Sequence, residues 1–99
     1  MVLNVSTATV AGSSATEAGI TAELSGATAA AAAALTGVLP MGADLDSAQF
    51  AAALNAAGAS YVGTAVEQAT SRAEFAGAQG LAAATYTVAD VMNNTALSL

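Results

Sequence analysis

The arrangement of apolar and polar positions predicts two long helices separated by a single turn. The only proline, Pro40, lies between Gly37 and Gly42. The residue before a proline avoids the α region, so this segment interrupts any helix. Alanine, the strongest helix former, dominates both flanks. We expect a hairpin domain of residues 1–84 and then a tail, with a helix over about 7–36, a turn over 37–45, a helix over about 46–84 and the tail over 85–99.

Both predicted helices begin beside residues that can cap them. Ser6 or Thr7 precedes the first helix, and Asp44 or Asp46 precedes the second. Side-chain oxygens of these residue types accept hydrogen bonds from the free amides of a helix N-terminus. We therefore expect one cap at each start.

The spacing of the smallest residues leaves two ways to pair the helices. Gly and Ala recur at alternating intervals of three and four from Gly12 to Gly37, and a comparable row runs from Ala52 to Gly80. These rows would allow the two backbones to approach closely and close the hairpin. In the other arrangement the larger residues lie between the helices and the small rows face another protein. The sequence does not choose between them.

The larger apolar residues form rows of their own, and a two-helix hairpin cannot cover every row. We therefore predict an all-α, antiparallel two-helix hairpin that completes a four-helix bundle with a partner protein. The alternative is a self-assembling, homo-oligomeric structural hairpin. The predicted partner-binding residues are Val10, Ile20, Leu24, Ala31, Leu35, Val38, Phe50, Leu54, Ala57, Tyr61 and Val62.

The composition strengthens the need for a partner. The chain has 99 residues, of which 30 are alanine, and only 25 carry larger apolar side chains. Fully burying a Leu, Val or Phe contributes roughly 1.5–3 kcal/mol, and a methyl group contributes much less. Nine glycines weaken the helices further. The isolated chain is therefore expected to be only marginally stable.

The charged residues exclude several classes of function. There is one Arg and no Lys, His or Cys, against seven carboxylates. The usual acid–base groups and nucleophiles are missing, so we expect no enzyme, and there is no basic surface for nucleic acid. Asp44 and Asp46 have the spacing of a calcium loop, but Gln49 and Asn55 stand where that loop needs Gly and Glu. We expect no metal site and no cofactor.

The remaining charges are expected to be structural. Glu17 is predicted to lie at the rim of a buried face or to make a polar contact that fixes register. Glu67, Arg72 and Glu74 are predicted to form a solvated patch.

Membrane insertion is not expected. The first five residues carry no Lys or Arg, so we expect no secretory signal peptide. Residues 24–43 and 47–66 are uncharged and long enough to cross a bilayer. Both stretches consist mainly of Ala, Gly, Ser and Thr, which insert poorly.

Tyr86 and Asp90 stand four residues apart in a tail without other charges, on one side if that segment is helical. A Tyr-x-x-x-Asp/Glu after such a hairpin is similar to the export signal of type VII secretion substrates. The turn from Leu39 to Asp44, the alanine-rich flanks and this tail resemble the mycobacterial PE family over nearly the whole chain. Ser6-Thr7 stand where the family has the Pro-Glu pair that names it. The likeness is strongest to short members encoded with the ESX-3 system.

This resemblance implies a function that the residues alone do not. PE proteins form a heterodimer with a longer PPE-family protein, whose tip is held by an EspG-type chaperone. The pair is made in the cytoplasm and exported folded, to be secreted or to reach the cell surface. The resemblance makes Tyr86 and Asp90 the secretion signal.

Overall fold

The computed structural model describes residues 4–98 and shows two long helices. Helix α1 spans Thr7–Thr36 and helix α2 spans Leu45–Leu97. The described part of the chain is 87% helical without a strand, which confirms the all-α class and is consistent with a helical hairpin. Residues 1–3 of the predicted hairpin and residue 99 of the predicted tail lie outside the described residues.

Helix α1 has the bounds expected from the sequence, but α2 differs at its C-terminal end. It begins at Leu45 and continues through Leu97, thirteen residues beyond the expected end at residue 84. The segment after Gly80 contains no further Gly or Pro that would stop a helix. The hydroxyl groups of Thr85, Thr87 and Thr95 each donate to the carbonyl four residues earlier. Most of the expected tail is therefore a continuation of α2.

Each helix begins at one of the two expected caps. The Ser6 hydroxyl accepts a hydrogen bond from the Thr9 amide at 3.3 Å. Asp44 Oδ1 accepts from the Ser47 amide at 2.8 Å, and Asp44 Oδ2 accepts from the Ser47 hydroxyl at 2.9 Å. These hydrogen bonds from Ser47, the backbone one first, lower the pKa of Asp44 below its usual value.

The described chain divides into two compact units. One contains residues 21–70, and the other contains residues 4–20 together with 71–98. In both, the residues turned inward recur at intervals of three and four, which is the period of helices packed side by side.

In the unit of residues 21–70, the two backbones approach closely at Gly58. A Cβ built on Gly58 would collide with the carbonyl oxygen of Leu35 and would lie 2.7 Å from the Leu35 carbonyl carbon. The opposed atoms are backbone rather than the end of a flexible side chain. Only glycine therefore fits here without displacing one of the helices.

The same unit contains a side-chain clamp on the segment that follows α1. Asn55 Oδ1 accepts from the Val38 amide at 2.7 Å, and Asn55 Nδ2 donates to the Val38 carbonyl at 3.0 Å. One half-buried carboxamide thus satisfies both backbone groups of Val38, which α1 no longer pairs.

In the unit of residues 4–20 and 71–98, polar contacts join the helices. The Ser14 hydroxyl donates to the Ala76 carbonyl at 2.7 Å, and Gln79 Nε2 donates to the Ser13 hydroxyl at 2.9 Å. Arg72 forms an ion pair with Glu17 at 2.8 Å. Arg72 is therefore not simply part of a solvated patch, and Glu17 makes a polar contact with the other helix.

The predicted rows of small residues do not close the hairpin. The α1 row from Gly12 to Gly37 is exposed throughout, and the α2 row is exposed apart from half-buried Gly80. No atom would contact a Cβ added at Gly12, Gly19 or Gly26 within 4 Å. Among the described residues, the buried hydrophobic side chains are all alanine: Ala51, Ala69, Ala76 and Ala83.

Candidate functional site

The Tyr-x-x-x-Asp motif lies on α2, in the unit of residues 4–20 and 71–98. One helical turn separates Tyr86 from Asp90, so both side chains leave the helix on the same side. Tyr86 is 42% exposed and Asp90 is exposed. Both polar groups are therefore available to another molecule.

A groove lies between the Tyr-x-x-x-Asp motif on α2 and the segment that precedes α1. We call it the signal groove, and it is lined by Asn4, Val5, Tyr86, Ala89, Asp90 and Asn93. Its polar groups are two carboxamides, a phenol and a carboxylate. The motif is therefore one side of a surface built from two distant parts of the sequence.

Within residues 4–98, no basic side chain forms an ion pair with the carboxylate of the signal groove. Asp90 is the only charged side chain from Phe75 onward, and residues 4–16 carry none. Within residues 4–98 the Asp90 carboxylate makes neither a hydrogen bond nor an ion pair. The single basic side chain, Arg72, is engaged by Glu17.

A second feature of the surface is the number of large apolar side chains that the hairpin leaves uncovered. Phe50 is 58% exposed, Leu54 40% and Tyr61 65%. Each precedes a residue of the inward row of α2 by one position, so the three form a strip along the edge of that row. We call Phe50, Leu54 and Tyr61 the apolar strip.

The predicted partner-binding residues divide between this outer surface and the interior of the hairpin. Five of them are half-buried between the helices or beside the turn, namely Val10, Leu24, Leu35, Val38 and Val62. The remaining six are exposed, namely Ile20, Ala31, Phe50, Leu54, Ala57 and Tyr61.

The acidic residues of the described chain do not form a metal-binding cluster. Among residues 4–98 no group of three or more His, Cys, Asp or Glu residues is placed to hold a metal ion. Asp44, one half of the considered calcium pattern, is occupied as the cap of α2.

Among residues 4–98, one helix meets the length and hydropathy expected of a membrane span. Helix α1 reaches a mean hydropathy of 1.2 over its most apolar window. This result rests on length and composition alone, and the helix includes Glu17 and Glu23. A charged residue at the centre of a bilayer costs several kcal/mol.

Two parts of the surface and fold were missed by sequence reasoning. In the sequence Asn55 stands out only as a mismatch to a calcium loop, because its clamp on Val38 forms in the folded turn. Asn4 and Val5 carry no motif, and about 80 residues separate them from Tyr86. A polar residue at an inward heptad position was the one available signal for Asn55.

The fold belongs to the class of all-α helical hairpins, and it leaves large apolar side chains on its surface. The model of the PE family matches residues 3–93, so the chain belongs to the PE family. This is a class of mycobacterial proteins associated with secretion, generally noncatalytic and generally paired with a PPE protein. Comparison with curated proteins and comparison with solved structures gave no match.

The matched range includes the start of α1, where Ser6 caps the helix.

Proposed function

We propose that this protein is a noncatalytic type VII secretion substrate that forms an obligate heterodimer with a PPE-family protein. Its two helices and two helices of the partner form a four-helix bundle. The observation that carries this proposal is the small size of the hydrophobic core that the protein forms by itself. The buried hydrophobic side chains in residues 4–98 are four alanines, while the apolar strip lies on the surface.

Burial energies explain why these exposed residues favour a partner. Covering apolar surface contributes about 25 cal/mol per Å², and aromatic side chains offer the largest areas. Phe50, Tyr61 and Phe75 are each more than half exposed. A second pair of helices laid along α2 would remove this surface from water.

Export is the second part of the proposal. Tyr86 and Asp90 serve as the secretion signal, and an EspG-type chaperone recognises the pair through its PPE subunit. The pair is made in the cytoplasm and leaves through the ESX-3 system. Support comes from the family match, the ESX-3-like sequence and the exposure of both motif residues.

Co-expression with a PPE protein encoded beside it tests the pairing. We expect an insoluble or unstable chain to become a soluble one-to-one complex. Phe50→Asp should abolish that complex, because an unpaired charge within a bundle costs several kcal/mol. Gln49→Asp is the matched control on the exposed surface next to it. Leu24→Asp should also abolish it, but Leu24 is half-buried within the hairpin, so Phe50 is the cleaner probe.

The oligomeric state separates this proposal from its rivals. A folded, monodisperse monomer would rule out obligate pairing. An even-numbered homo-oligomer in light scattering would favour the self-assembling structural hairpin, which the same exposed strip could support. Carbonate-resistant membrane association would favour an inserted hairpin.

Export from the native host tests the signal. Tyr86→Ala and Asp90→Ala should each leave the heterodimer intact and stop its appearance in the culture filtrate. Unchanged filtrate levels would remove the signal assignment. Loss of export in a host lacking ESX-3, with export retained when other ESX systems are deleted, would assign the route.

A further inference from the structure

We propose that the signal groove binds an arginine side chain of the export machinery. The inference rests on the proposed function, because it names the chemistry that the Tyr86 and Asp90 signal presents. It also adds Asn4 and Asn93, which the linear motif does not contain, to the recognised surface.

The hydrogen-bonding groups of the groove favour a donor with several N–H groups. Asp90, when ionised, offers only acceptors, and the carboxamides of Asn4 and Asn93 each add a carbonyl oxygen. A guanidinium carries five N–H donors in a planar fork and pairs with carboxylates in two-point contacts. It also stacks on aromatic rings, and Tyr86 is one of the residues that line the groove.

No Lys or Arg side chain of the chain is left to fill the groove, which supports a guanidinium supplied by another molecule. Asp90 lacks an ion-pair partner within residues 4–98. The chain has one basic side chain, Arg72, and Glu17 holds it at 2.8 Å. No second Arg or Lys exists in the 99 residues to fill the groove.

Two neighbouring asparagines provide a matched test in the export assay. Asn93 lines the groove and Asn94 does not, although both are exposed on α2. We expect Asn93→Ala and Asn4→Ala to reduce export about tenfold, the effect of losing a hydrogen bond to a charged group. Asn94→Ala should export normally. Equal export by all three variants, with Tyr86→Ala and Asp90→Ala still blocked, would overturn the groove proposal and leave the signal assignment standing.

Binding of a defined probe tests the chemistry directly. The full chain, in the complex in which it is soluble, would be titrated with N-acetyl-arginine amide and followed by NMR. We expect shifts at Asn4, Val5 and Asn93, about tenfold weaker binding in Asp90→Asn, and no binding of the uncharged citrulline analogue. Equal shifts with citrulline, or none with arginine, would overturn the proposal.

A third measurement separates the export machinery from the PPE partner as the source of the arginine. Asp90→Asn should leave the affinity of the heterodimer unchanged while export falls. A heterodimer about tenfold weaker would place the cation on the PPE partner and overturn the proposed source.

Discussion

Replacing Gly58 by alanine tests how closely the two helices approach in the unit of residues 21–70. In an open helix position this change stabilises by about 0.5–1 kcal/mol, because alanine has the higher helix propensity. At Gly58 the new methyl group would collide with the carbonyl oxygen of Leu35. Overpacking of this kind costs about 1–3 kcal/mol, and a backbone obstacle cannot rotate away. We therefore expect a net loss of stability.

Gly63 is the matched control for this substitution. It lies in the same helix and the same unit, and no atom would contact its added Cβ within 4 Å. Gly63→Ala should raise the melting temperature and Gly58→Ala should lower it. In a complex of at least twice this chain's size, the midpoints should differ by about 2–4 °C for each kcal/mol.

Thermal unfolding of the purified complex, followed by circular dichroism at 222 nm, provides the measurement. Both glycines have ordinary negative backbone φ angles, so backbone strain does not distinguish them. A Gly58→Ala protein as stable as Gly63→Ala would refute the close approach of the helices at Leu35.

Three further predictions concern the polar contacts. Asn55→Ala should lower the free energy of unfolding by about 1–3 kcal/mol, because it leaves the amide and carbonyl of Val38 without their partner. A loss below about 0.5 kcal/mol in denaturant titration, the range of an ordinary surface substitution, would contradict the clamp. Arg72→Gln should cost less than about 1 kcal/mol, because the Arg72 side chain is 47% exposed, and most of that loss should disappear in 1 M salt; a larger loss that persists in salt would contradict a solvent-screened pair. Hydrogen bonds depress the pKa of Asp44 in the folded chain, so its stabilising effect is present above the unfolded pKa and lost as the pH falls below about 4. Asp44→Asn keeps a capping oxygen but removes this titration, so helicity should decline less in acid than in the unsubstituted chain; identical acid titrations would contradict the assignment.

The parts of the fold that depend on local sequence were predictable. Ser6, Gly37 and Pro40 mark the limits of α1 without reference to the rest of the chain. The predicted end of α2 at residue 84 is too early, because no helix breaker follows Gly80 and the Tyr86 motif lies on the helix rather than in a tail.

The inward faces of the helices could be predicted only in part from hydropathy. Ser14, Thr21 and Thr28 are half-buried on α1, whereas Ile20 and Phe50 are exposed. The rows of larger apolar residues include some inward positions, such as Leu24 and Leu35, but miss the small polar ones. Serine and threonine fit there because they are small and their hydroxyls find carbonyl acceptors, as Thr28 does on Leu24.

The signal groove shows the same limit for the candidate site. Tyr86 and Asp90 could be identified from their spacing, but their neighbours Asn4 and Val5 come from the other end of the chain. Only the pairing of the helices brings these segments together.

Because α2 is continuous from Ser71 to Asp90, contacts early in this segment determine the orientation of side chains near its end. Each residue turns a helix by about 100° and advances it by 1.5 Å, so the helix phase upstream sets the direction in which Tyr86 projects. The contacts of Arg72, Ala76 and Gln79 with α1 fix that phase. One residue inserted between Gln79 and Tyr86 would rotate the phenol away from Asn4 while leaving the Tyr-x-x-x-Asp motif intact. Seven inserted residues would restore the original direction of the side chain, but two helical turns further along the axis.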